Sequence, residues 1–176
     1  MHVMMDLETL DTKPGAVLLS IGAVVFDYKQ DLLGAEFHQI INVASSIEAG
    51  LTVSKSTEDW WATQSDDAKK TLNDAKAGKG QDLKEALLGF GHYLDKLGEP
   101  PSKIRLWGNG SDFDNVLLIA AYDAAKLTPP WKFYNNRCYR TLKSLKPGIK
   151  LVREGTYHNA LDDAKTQARH AIQLLR

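Results

Sequence analysis

The stretch His2-Val3-Met4-Met5-Asp6-Leu7-Glu8 governs how the rest of the chain is read. Val3, Met4 and Met5 form a short unbroken apolar run of the kind that makes a buried strand, and two carboxylates follow where that strand should end. If the extended conformation continues to Glu8, the period of two puts Asp6 and Glu8 on one face, both able to reach a single cation. The alternative is a solvated strand end that carries two charges. Distant parts of the chain decide between the two.

Moving outward, a polar turn over Thr9–Gly15 leads to the β-branched run Ala16–Asp27, which reads as a central strand. After a turn at Asp27–Asp31, alternation over Phe37–Val43 predicts a half-buried third strand, so the chain opens as a three-stranded meander. Thr57–Ala75 reads as one polar helix, with Thr57 as N-cap and Glu58 and Asp59 in its first turn. Leu83, Ala86, Leu87, Phe90, Tyr93, Leu94 and Leu97 recur at helical spacing and stop at Gly98. A short strand over Ile104–Trp107 breaks at Gly108-Asn109-Gly110, and a helix starts near Asp112–Asn115. Leu161, Ala164, Ala168, Ala171, Ile172 and Leu175 trace a terminal amphipathic helix with Asp162 and Asp163 in its first turn.

A chain of 176 residues, 43% hydrophobic, suits a single domain spanning 1–176, large enough to bury roughly two-thirds of its unfolded surface. Its 22 Lys and Arg balance 22 Asp and Glu, which excludes the global positive field of a duplex-wrapping protein. Contact with nucleic acid must therefore be local, and the balance hides one cluster. From Lys132 to Arg153 the chain carries Arg137, Arg140, Lys143, Lys146 and Lys150 with no acidic residue, interleaved with Phe133, Tyr134 and Tyr139. The single cysteine, Cys138, excludes an internal disulfide framework and a multi-thiolate zinc site and reads as structural. No run reaches the eighteen or so apolar residues of a membrane helix, and no basic leader precedes the first strand, so a soluble, cytoplasmic protein without membrane contact is expected.

Asp6, Glu8, Asp114, Asp163 and His158 each have an ordinary explanation when taken singly. Ser111-Asp112-Phe113-Asp114 fits a capping box, Asn159 can cap the last helix, and a lone histidine is usually a surface or satisfied one. Taken together they resemble the DEDDh 3′-5′ exonucleases of the ribonuclease H-like superfamily. MMDLET (residues 4–9), GNGSDFDN (108–115) and YHNALDDA (157–164) match the three motifs in order, and His158 to Asp163 fits the His-x-Ala-x-x-Asp spacing. The SIGAVVFD, TEDWWATQS and CYRTL segments add a likeness to compact phage and prophage exonucleases of the exodeoxyribonuclease VIII type and to a mycobacterial exoribonuclease.

The resemblance implies an α/β ribonuclease H-like fold, with a mixed five-stranded sheet flanked by helices. It makes Asp6, Glu8, Asp114 and Asp163 the carboxylates of two divalent cations, Mg²⁺ or Mn²⁺, and His158 the general base. Asp112 and Asp162 are left to helix-start electrostatics. Clustered carboxylates repel and raise one another's pKa, and oxygen donors suit these ions better than zinc or copper. The expected activity is 3′-5′ hydrolysis releasing 5′-mononucleotides, with single-stranded DNA favoured over RNA as the substrate. A non-catalytic binding module is the competing class, and the five filled positions argue against it. The address would be the host cytoplasm if a phage encodes the chain, and oligomeric state is left open, a homodimer included.

Thr9 and Leu10, just after the first motif, are nominated by the resemblance to lie near the 3′ end. Trp60 and Gln64, four apart, would share a helix face from which Trp61 is turned by about 100 degrees. One tryptophan is expected to meet substrate while the other packs, with both packing as the alternative. Arg137, Arg140 and Lys143 represent the basic stretch as a track for phosphates, against a solvated cationic face.

Overall fold

The computed structural model describes residues 1–176. Its meander consists of β1 (His2–Thr9), β2 (Leu18–Asp27) and β3 (Leu32–Ile40), paired antiparallel. Four helices follow: α1 (Val43–Glu48), α2 (Lys55–Ala62), α3 (Asp66–Lys76) and α4 (Leu83–Lys96). Then come β4 (Arg105–Gly108), α5 (Asp114–Ala124), β5 (Asn136–Cys138), α6 (Tyr139–Leu145) and α7 (Ala160–Leu175). The strand order is β3-β2-β1-β4-β5, with β4 parallel to both β1 and β5, so the sheet is mixed and five-stranded as expected. No helix is long and apolar enough to cross a membrane.

Period-two alternation along β1 divides the interior. Val3, Met5 and Leu7 belong to a cluster of 30 buried residues that includes Leu83, Leu87 and Phe90 of α4 and Leu117 and Leu118 of α5. Met4 faces the other way, into a cluster of 10 with Ala164, Ala168, Ala171 and Ile172 of α7. Asp6 and Glu8 continue the Met4 line, so they emerge on the face that α7 covers. Small alanines let α7 lie close to the sheet. Gly22, which pairs with Asp6 in β2, removes the last obstacle: a Cβ there would fall 2.1 Å from the Ala160 carbonyl carbon and 2.2 Å from the Leu161 nitrogen. Any side chain at Gly22 must push the first turn of α7 off the sheet.

The chain departs from the sequence reading in three places. The helix expected over Thr57–Ala75 is two helices, because Ser65 accepts from the Ala68 N–H at 3.2 Å and starts α3, with Asp66 and Asp67 in its first turn. Ser54, not Thr57, occupies the N-cap position of α2. The third strand begins at Leu32 and stops at Ile40, and Asn42 then caps α1 by accepting from the Ala44 N–H at 3.0 Å.

Candidate active site

The parallel strands β1 and β4 end on the same edge of the sheet, the position where α/β folds gather functional groups. Asp6 and Glu8 come from the end of β1, Asp114 from the first turn of α5 and Asp163 from the first turn of α7. Asp6 is half-buried, while Glu8, Asp114 and Asp163 are buried.

Specific contacts hold each of the three aspartates. Asp6 Oδ1 accepts from Gln167 Nε2 at 2.7 Å. Asp114 does not sit in a capping box: Phe113 holds the N-cap position and no side chain caps the helix. Instead its two oxygens accept the Asn109 N–H at 2.7 Å and the Leu7 N–H at 3.3 Å, tying the β4–α5 turn to β1. Gly108 makes this approach possible, since a Cβ there would lie 2.8 Å from the Asp114 Cβ. Asp163 Oδ2 accepts the His158 N–H at 3.0 Å, and Oδ1 is paired with the Arg153 guanidinium. Asn159 caps α7 by accepting from Leu161 and Asp162, as the sequence suggested. Asp162 turns away and accepts the Thr156 N–H at 2.8 Å, whereas Asp112 is exposed.

Burial dominates the electrostatics. It lifts Glu8 to about 8, helped by the charges of Asp163 and Asp114 and opposed by Arg153. Burial also lifts Asp114 to about 7 against the Asn109 and Leu7 N–H groups, its own N–H and the charge of Arg140, all of which favour its anion. Asp6 is raised well above the usual carboxylate range by burial, then by Asp114, Glu8 and Asp163. Asp163 is raised by burial and restrained by Arg153. The four side chains therefore compete for charge, and without cations they cannot all ionise near neutral pH.

Oxygen or nitrogen atoms of Glu8, His158 and Asp163 lie within 4.8 Å of one another, close enough to share an ion. His158 adopts the left-handed conformation, with φ +59°, which costs on the order of 1 kcal/mol for a residue other than glycine. Its bond to Asp163 and its edge contacts with Trp60 and Trp61, at centroid distances of 4.9 and 6.0 Å, hold it there. Burial lowers the His158 pKa, with Asp163 opposing, so the imidazole is neutral at pH 7.

A pocket of about 400 Å³ opens beside Glu8, lined by Thr9, Trp60, Trp61 and Phe113 among others. The two tryptophans differ in exposure. Trp61 is 1% exposed and its Nε1 donates to the Thr9 carbonyl at 2.9 Å, so it is core; Trp60 is 43% exposed.

The other nominated residues scatter. Thr9 is buried and lines the pocket, whereas the Leu10 side chain is fully buried in the larger core and presents nothing to the site. Gln64 lies beyond the end of α2 and donates to the Trp60 carbonyl at 3.1 Å, so it shares no helix face with Trp60. Arg140 reaches the Asn109 carbonyl at 2.7 Å beside the Asp114 turn. Lys143 lies over the Tyr139 ring, 5.5 Å from its centroid. Arg137 sits at the opposite end of the sheet, lining a cavity with His2, Tyr28 and Arg105.

Three features were missed. Gln167 and Asp163 are four apart on the buried face of α7, so a polar residue within its alanine stripe was the available signal. Arg153 was read as part of a phosphate track rather than as a partner of Asp163. Gly22 and Gly108 announce themselves only through tertiary proximity.

A family model described as the 3′-5′ exoribonuclease Rv2179c-like domain matches residues 1–175. A curated exodeoxyribonuclease of Enterobacteria phage T4 is 24% identical over 157 residues, covering 77% of this chain and 67% of the phage protein. The nuclease domain of 3′hExo, a DEDDh family member bound to rAMP, superimposes with a TM-score of 0.66 at 14% identity, over 99% of this chain and 90% of that one. E. coli exonuclease I in complex with a dT13 oligonucleotide gives 0.66 at 14% identity, over 98% of this chain and 40% of its own. At these identities the two structures share the fold.

Proposed function

Since the chain belongs to the 3′-5′ exoribonuclease Rv2179c-like domain family and is a 3′-5′ exonuclease, we propose that it releases nucleoside 5′-monophosphates from single-stranded 3′ ends. In this reading Asp6, Glu8, Asp114 and Asp163 hold two divalent cations and His158 is the general base. The observation that carries it is the meeting of four acidic side chains from β1, α5 and α7: Asp6 and Glu8 each feel the charges of Asp114 and Asp163, burial and those charges lift Glu8 to about 8, and burial lifts Asp114 to about 7. That donor set fits hard cations: it offers carboxylate oxygens and one imidazole, and the buried Gln167 Oε1 beside Asp6 has no partner. Mg²⁺ or Mn²⁺, when bound, neutralises the carboxylates and offsets charge developing on the phosphate and the leaving 3′ oxygen.

The chain's own groups supply the rest. Neutral His158 takes a proton from water as it attacks the phosphorus; its backbone N–H bond to Asp163 fixes the residue, and the edge contacts with Trp60 and Trp61 hold the ring. Trp60 offers the terminal base an exposed face above the pocket, while Thr9 and Phe113 form its wall. We assign the preceding phosphates to Arg140, which stands beside the Asp114 turn, and to Lys143 on the next turn of α6; Arg137 lines a cavity at the other end of the sheet and is left out. We place this activity in the cytoplasm, where Cys138 remains a free thiol.

For the sugar, DNA is the first reading, on the phage T4 relative, and RNA is the second, on the family's description. Both follow from chemistry confined to the phosphate, because a 2′-OH is distinguished only by groups that touch it. Matched DNA and RNA single strands, labelled at the 5′ end, test both levels. A ladder of shortening products with Mg²⁺ or Mn²⁺ and none with EDTA is expected, faster on DNA. Immediate internal fragments, or activity in EDTA, would sink the exonuclease reading, and a faster RNA ladder would reverse the sugar assignment alone.

A further inference from the structure

We propose that Arg153 is a resident counter-ion of the carboxylate cluster, which an incoming divalent cation displaces from Asp163 and so releases toward a substrate phosphate. The inference rests on the proposed function, because it takes Asp163 as a cation ligand.

Arg153 is poorly held for a guanidinium so deep in a site. It pairs with Asp163 Oδ1, and the same Nη2 makes only a long contact of 3.4 Å to the Thr156 carbonyl. Its Nε is buried and has no partner. The Tyr157 ring lies 3.7 Å from Cζ and supports the flat face of the group. One carboxylate and one aromatic face therefore retain five donors, most of which are unused. Arg140, by contrast, is anchored by a 2.7 Å bond from Nη2 to the Asn109 carbonyl.

The segment that carries Arg153 does not depend on this ion pair. Between α6 and α7, the Glu154 N–H donates to Thr166 Oγ1 at 3.2 Å and that hydroxyl returns a bond to the Glu154 carbonyl at 3.0 Å. The Thr156 and His158 N–H groups are bound by Asp162 and Asp163 Oδ2. The guanidinium can thus leave Asp163 Oδ1 while the backbone and His158 stay in place. Its side chain is 20% exposed and belongs to neither hydrophobic cluster, so an outward swing gives up the Tyr157 stacking contact and leaves both clusters in place.

Charge supplies the direction. The Arg153 guanidinium stands against Asp163 Oδ1, the place and the charge a cation would take there. A divalent ion on Asp163 would face a guanidinium across a single carboxylate, and like charges at that separation repel strongly where solvent is scarce. The freed group would stand on the rim of the site with a planar fork of donors suited to a phosphate.

Calorimetric titration of Mn²⁺, followed by 2′-deoxyadenosine 5′-monophosphate at saturating Mn²⁺, separates this role from a structural one. Arg153→Met should bind Mn²⁺ about tenfold more tightly than the parent and the monophosphate about tenfold more weakly. Arg153→Gln should move both affinities the same way, and circular dichroism establishes that each variant is folded. A merely structural arginine would weaken both ligands together. Unchanged or weaker Mn²⁺ binding by the folded variants would overturn the counter-ion role. A parent that binds no Mn²⁺ would instead remove the cation site on which the inference stands.

Discussion

Asp114→Asn and Asp163→Asn should each abolish turnover, by about 10³-fold or more, because each removes a full negative charge from a site built to gather cations. Asp112→Asn and Asp162→Asn should leave the rate within about threefold, since an exposed side chain and a loop-bracing acceptor that Asn can still supply contribute no cation ligand. His158→Ala should lose about 10²- to 10⁴-fold while still binding Mn²⁺. Initial rates on a 5′-labelled strand measure all five variants. The adjacent pairs make the comparison sharp: Asp112 and Asp114 sit two residues apart, and Asp162 and Asp163 are neighbours, yet their surroundings differ completely. Loss of activity in the 112 and 162 variants with retention in the other two would mean that the register of the second and third motifs is wrong.

Without divalent cations the protein should lose stability as pH rises from about 6.5 to about 9, by on the order of 2 kcal/mol. Glu8 at about 8 and Asp114 at about 7 hold protons in the folded state that ordinary carboxylates release in the unfolded chain near pH 4. The folded state thus binds more protons across this window, and the slope of stability against pH is negative. Below it, His2, His38 and His158 act in the opposite sense, because their lowered values leave the unfolded chain as the better proton acceptor. The cleanest readings therefore lie above pH 6.5. Thermal melts in EDTA should fall by about 5 °C over that interval, and saturating Mg²⁺ should remove the fall by keeping the carboxylates ionised throughout. A flat melting temperature in EDTA would show that the four acids do not burden one another.

Much of the site was legible because its chemistry is written in local patterns. The apolar run ending at Asp6 and Glu8 gave a strand with both carboxylates on one face, and the helix starts near Asp114 and Asp163 followed from periodicity and turn residues. Local reading failed where tertiary contacts outcompeted local ones. Ser111 to Asp114 looks like a capping box, but the Leu7 and Asn109 N–H groups claim the Asp114 carboxylate instead. Arg137 looked like a companion of Arg140, yet the extended chain of β5 places it at the far end of the sheet with His2. Leu10 follows the motif directly but is consumed by the core. Ser65-Asp66-Asp67 is a readable helix start that lies inside the single helix expected over Thr57–Ala75. No local pattern could foretell that Gly22 must lack a side chain for α7 to reach Asp6.

The central claim is that Asp6, Glu8, Asp114 and Asp163 form one cation-binding centre at the end of β1. Anomalous diffraction from crystals grown with Mn²⁺ and a nucleoside 5′-monophosphate tests it most directly. Two anomalous peaks about 4 Å apart, bounded by these four carboxylates and the phosphate, are expected. Ordered nucleotide with no peak among the four carboxylates, or with manganese bound elsewhere on the protein, would contradict it.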